Sequence, residues 1–67
     1  MIRSRPIEID GRFVGVAVTQ NGKWRFIATE PAARPVEGSL FEALPQLQRR
    51  LQSMLAGRFL PPLQHAG

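Results

Sequence analysis

The chain contains no cysteine, so it has neither a disulfide framework nor a thiolate metal site. No apolar run approaches the ~18 residues that a membrane-spanning helix needs. The opening Met1-Ile2-Arg3-Ser4-Arg5-Pro6 has no apolar stretch behind it, which argues against a secretory leader. These absences fit a reducing, cytoplasmic setting and no membrane partner. Chemistry-bearing side chains are also scarce. The single histidine, His65, stands close to the C-terminus with no second ligand beside it. Glu8 and Asp10 alternate onto one side of a strand about 7 Å apart, but they flank an exposed turn, where turn chemistry and solvation are simpler roles than acid–base catalysis. Ser4, Ser39 and Ser53 have no base nearby, and the glycines at 11, 15, 22 and 38 do not match the spacing of a phosphate-cradling loop. The sequence therefore predicts no catalytic residue, no metal ligand, no cofactor and no small-molecule site, and enzymatic function is not expected.

What is present is one small domain. A chain of 67 residues buries only about 60% of its unfolded surface, which limits its stability to a few kcal/mol. Apolar residues make up 43% and charged residues 21%, the balance of a folded chain rather than a disordered tail. Residues 1–57 read as a single β-β-β-α domain and 58–67 as a proline-containing tail. No internal repeat or low-complexity tract occurs.

Two turn signals organise the first half. Asp10-Gly11 and Asn21-Gly22 favour type I′ turns, because Gly, Asn and Asp tolerate positive φ. Each lies between β-forming residues, giving strands at 6–9, 12–20 and 23–29 in an antiparallel meander. Pro6 suits the first residue of an edge strand. Pro31, Pro35 and Gly38 mark 30–38 as a loop. Ser39 followed by Glu42 has the form of a capping box. Beyond it Leu40, Leu44, Leu47, Leu51 and Leu55 fall on one stripe at ~100° per residue with Met54 beside them. Glu42, Gln46, Arg49, Arg50 and Ser53 lie opposite, and Gly57 is a natural stop. Pro45 conflicts with a helix begun at Ser39, so either a kink or a helix restarting at Pro45 is expected. The fold class is α+β: a three-stranded antiparallel meander with one C-terminal amphipathic helix packed on it.

Two-residue turns set the register. Gln20 then pairs with Lys23, Val18 with Arg25, Val16 with Ile27, Ile9 with Arg12 and Ile7 with Val14. One face would carry Ile7, Ile9, Val14, Val16, Val18 and Ile27, rimmed by Arg12, Lys23 and Arg25. The other would carry Phe13, Gly15, Ala17, Trp24, Phe26 and Ala28, with Glu8, Asp10 and Thr19. A sheet with one wet face normally alternates apolar with polar, and this one hardly does. A single four-turn helix covers one face. The second needs another cover: the tail around Phe59 and Leu63, a second subunit or a partner. This surplus points to a non-catalytic interaction module, self-associating as a homodimer or binding a protein partner through an apolar sheet face or an edge strand. The candidate interaction residues are Phe13, Trp24, Phe26, Val16, Val18 and Ile27.

A second reading comes from charge. Nine cations, eight of them arginine, against five carboxylates leave +4 and a pI near 11.5. Arg is suited to phosphate forks, and Trp24, Phe26 and Phe13 on one sheet face could stack bases. Arg12, Lys23, Arg25, Arg49 and Arg50 would supply the anion contacts of a small basic nucleic-acid-binding protein. The plainer alternatives are a packed aromatic core and a solvated helix face, since the cations are scattered and form no run. Finally, Gly38-Ser39-Leu40-Phe41-Glu42-Ala43 after a β-hairpin resembles the helix entry of HicB-type antitoxins, small partners of RNA-cleaving toxins. The loop Pro31-Ala32-Ala33-Arg34-Pro35 departs from that family's Pro-Asp and Pro-Gly pattern. The resemblance implies an antitoxin-like partner protein and assigns no functional residue.

Overall fold

The computed structural model describes residues 2–59. The chain runs β1 (Ser4–Ile9), β2 (Arg12–Gln20), β3 (Lys23–Ala28), a 3-10 turn (Pro31–Val36), β4 (Leu40–Phe41) and α1 (Leu44–Leu55). The strands form one antiparallel sheet in the order β1-β2-β3-β4, with α1 packed on it. The α+β architecture is therefore as expected, with a fourth short strand added to the meander.

Both hairpins turn where the dipeptides said they would. Asp10 and Asn21 have φ 52° and Gly11 and Gly22 have φ 79°, the two consecutive left-handed residues of a type I′ turn. The second hairpin keeps the expected register, with Gln20 opposite Lys23, Val18 opposite Arg25 and Val16 opposite Ile27. The first does not. Ile9 pairs with Arg12 and Glu8 with Phe13, but Ile7 pairs with Gly15 rather than with Val14, which is left over as a β-bulge. One extra residue exchanges the two faces on the turn side of the bulge. Ile7, Ile9 and Val14 turn inward to join Ala17 and Phe26, all at most 1% exposed. Phe13 turns outward and is 46% exposed. The bulge sits where it does because Gly15 has no side chain. A Cβ there would lie 2.6 Å from two ring carbons of Phe26, and closer still to the Ile27 carbonyl oxygen. Phe26 thus occupies the space that any other residue at 15 would need.

The helix covers the inward face. Leu47, Leu51 and Leu55 recur at four-residue spacing and are at most 1% exposed, with Leu44 and Met54 half-buried beside them. Ala33 and Val36 of the 3-10 turn close the side of this core. The helix begins four residues later than a Ser39 cap would place it. Leu40 and Phe41 form a strand instead: Phe26 donates its N–H to the Ser39 carbonyl at 3.1 Å, and Leu40 on β4 pairs with Arg25 of β3, 50% exposed rather than on the buried stripe. Pro45 decides this. It sits at the second helical position, where its missing N–H has no helical partner to lose and its fixed φ suits the first turn. Ala43 is the N-cap and offers no side-chain oxygen, only its carbonyl, which accepts the Gln46 N–H at 3.1 Å. Gln46 supplies the reach-back half of the cap, its Oε1 accepting from the N–H groups of Glu42 at 2.9 Å and Ala43 at 3.4 Å. Gly57, at φ 77°, ends the helix. The residues that resemble a HicB-type helix entry therefore form β4 and the turn after it, not a helix start.

Candidate interaction face

The bulge and the helix together define which sheet face the described residues leave uncovered. Alternation places Pro6, Phe13, Val16, Val18 and Ile27 on the side away from α1, and β4 adds Leu40. Phe13, Ile27 and Leu40 are 46%, 40% and 50% exposed, among the described residues the large apolar side chains most open to water apart from Ile2. Val16 and Val18 are half-buried between them. The expected surplus of apolar sheet surface is thus present, with altered membership. Of the six candidate residues, Phe13, Val16, Val18 and Ile27 share the open face. Phe26 is fully buried and Trp24 half-buried on the helix side, opposite Thr19 and Phe41. Of the tail expected to fold over the second face, around Phe59 to Leu63, Phe59 is half-buried against the helix-side core instead, and the rest lies outside the described residues.

The cations do not gather into one surface. Arg12 Nε donates to Glu30 Oε1 at 3.0 Å, and its guanidinium lies 5.1 Å from the centre of the Phe59 ring. Lys23 pairs with Glu42 at 3.4 Å, and Arg25 donates to Gln20 Oε1 at 3.4 Å. Arg49 and Arg50 are exposed on α1, whose buried side faces the sheet, so they stand on the opposite side of the molecule from the open face. Around that face the sheet carries Glu8, Lys23 and Arg25, with Glu42 at the rim. That is two charges of each sign on a chain of +4.

Both edges of the sheet are blunted against strand addition. Thr19 donates its N–H to the Arg3 carbonyl at 3.0 Å, so Arg3 and the alternate residues Arg5 and Ile7 direct their backbone groups toward β2. Ser4, Pro6 and Glu8 direct theirs outward, and Pro6 has no N–H in the middle of that row. At the other edge β4 is only two residues long. Pro6 already marks β1 as an edge strand in the sequence; the pairing adds that its missing N–H faces outward.

Elsewhere the described residues offer little chemistry. No polar or charged side chain among them is buried, and no three His, Cys, Asp or Glu residues come together. A shallow groove of about 710 Å³ runs past Arg3, Thr19, Asn21 and Trp24 at the second hairpin, open to solvent along its length. Among the described residues no helix is long and apolar enough to cross a membrane. Comparison with known proteins returns no matching family model, no matching curated protein and no matching solved structure.

Proposed function

We propose that this protein is a small non-catalytic interaction module that joins a protein partner, foremost a second copy of itself, through the open face of its sheet. The observation that carries the reading is the apolar centre formed by Phe13, Val16, Val18, Ile27 and Leu40, left without cover by the described residues, while both sheet edges are blunted. Exposed apolar surface of this kind favours association because burying it removes it from water. Four strands ~4.8 Å apart and about five residue rises of ~3.3 Å give a plan area of roughly 300 Å². Stable dimers bury ~800 Å² per partner. Association through this face alone is therefore weak and reversible, on the order of 10 μM to 1 mM.

Light scattering on a size-exclusion column, run from about 10 μM to about 1 mM, tests the reading. The expected result is a mass that rises from monomer toward dimer with concentration, and a loss of that rise in Ile27→Lys. A strictly monomeric wild type across the range, with no protein partner recovered, overturns it. The nucleic-acid reading has less support: Phe13 is the one candidate aromatic on the open face, that face is electrically balanced, and the five candidate cations are divided between two sides. Salt-sensitive oligonucleotide binding that disappears on removing Arg49 and Arg50 would reinstate it.

A further inference from the structure

The open face carries charges in an arrangement that a second copy of the same face completes. Lys23 and Glu42 already neutralise each other at 3.4 Å. That leaves Glu8 and Arg25, both exposed and neither in an ion pair among the described residues. They occupy opposite corners. Glu8 lies on β1 opposite Phe13, at the Asp10-Gly11 end. Arg25 lies on β3 opposite Val18, toward the Asn21-Gly22 end. With β2 between them, they are two strand spacings apart sideways and about four residue rises apart lengthwise, roughly 16 Å corner to corner. No side-chain movement joins them within one molecule, and the apolar residues Val16, Val18 and Ile27 lie between.

We infer that two copies pack open face to open face about a two-fold axis, each Glu8 carboxylate meeting the Arg25 guanidinium of the other copy. This arrangement rests on the self-association proposed above and specifies its geometry. A two-fold axis lying between the two sheets, perpendicular to the Glu8–Arg25 diagonal, carries each corner onto the other. One symmetry operation then forms two identical ion pairs and superposes the apolar centres. Such an interface is isologous, the usual kind in a two-fold dimer. The diagonal runs about 35° from the strand direction, so the strands of the two sheets cross at about 70°, nearer the orthogonal class of sheet packing than the aligned one. The contact closes on itself and leaves no free copy of the face, so assembly stops at two. A polyanion or a strongly acidic partner would satisfy Arg25 and be repelled by Glu8. A second copy satisfies both.

Charge reversal tests this without touching the core, because both side chains are exposed. Glu8→Arg alone places Arg opposite Arg twice in the dimer, and Arg25→Glu alone places Glu opposite Glu twice. Each is expected to weaken self-association about tenfold or more at low salt, with the thermal melting of dilute monomer unchanged. Mixing the two variants restores both pairs in a heterodimer, as does combining them in E8R/R25E. Sedimentation velocity on the two single variants, their equimolar mixture and the double variant reads all four states. Recovery of the dimer in the mixture and in the double variant is the expected result. If wild type dimerises but the mixture shows no recovery, the proposed pairing is overturned while self-association stands. If wild type stays monomeric at about 1 mM, self-association itself fails. Assemblies larger than dimers overturn the two-fold geometry.

Discussion

Replacing Gly15 with alanine is the sharpest test of how the sheet is built. The added methyl would lie 2.6 Å from the Cε1 and Cζ carbons of Phe26 and closer still to the Ile27 carbonyl oxygen. Neither neighbour can yield cheaply. Phe26 is fully buried among Ile7, Ile9, Val14 and the helix leucines, and the carbonyl belongs to the backbone of β3. Overpacking of a filled core costs about 1–3 kcal/mol, and moving a strand as well places this substitution at or above the upper end. A domain of this size has roughly 3–10 kcal/mol in total, so Gly15→Ala removes a large share of its stability. The expected shift is ~15 °C in melting temperature, at 4–8 °C per kcal/mol for small domains. Gly22→Ala is the control. It meets nothing within 4 Å but has φ 79°, so it bears only the left-handed penalty of about 1 kcal/mol. Urea titrations followed by far-UV circular dichroism give both values. If Gly15→Ala is within 0.5 kcal/mol of wild type, or milder than Gly22→Ala, the bulge and its aromatic lid are not as described.

Three further outcomes follow from the helix, its entry and the contacts of Arg12. Ser39→Ala changes stability by less than about 0.5 kcal/mol, because the hydroxyl caps nothing, whereas Gln46→Ala costs about 0.5–1 kcal/mol through two freed N–H groups; paired thermal melts separate them. Leu51→Ala removes a fully buried side chain and costs about 2–5 kcal/mol in chemical denaturation. Arg12→Ala loses an exposed ion pair and a cation–ring contact and costs under about 1 kcal/mol, with a smaller difference at high salt.

Much of this fold is legible in the residues. Asp10-Gly11 and Asn21-Gly22 locate both hairpins, and an unbroken ladder across the second one makes its register a matter of counting. The bulge breaks that counting in the first. A glycine inside a strand run is a known mark of a bulge, and Gly15 was the signal that could have placed Phe13 outside and Ile7, Ile9 and Val14 inside. The capping pattern at Ser39 and Glu42 misleads for a different reason. Local side-chain chemistry there competes with backbone pairing to β3 and with the restriction that Pro45 imposes, and both of those favour an extended segment. The leucine stripe survives from Leu44 onward because burial enforces it. For the candidate site, the surplus of apolar β surface could be read from poor alternation alone. Its membership and the neutral balance of its charges needed the actual pairing.

Self-association as proposed stands or falls on the open face being the contact surface. Two-dimensional ¹H–¹⁵N and methyl spectra recorded over a dilution series, from about 1 mM to about 10 μM, test it directly. The expected result is concentration-dependent shifts confined to Phe13, Val16, Val18, Ile27 and Leu40 with the flanking Glu8 and Arg25, while Leu47, Leu51, Arg49 and Arg50 stay fixed. Spectra that do not change over that range, or changes centred on the outer side of α1, would contradict it.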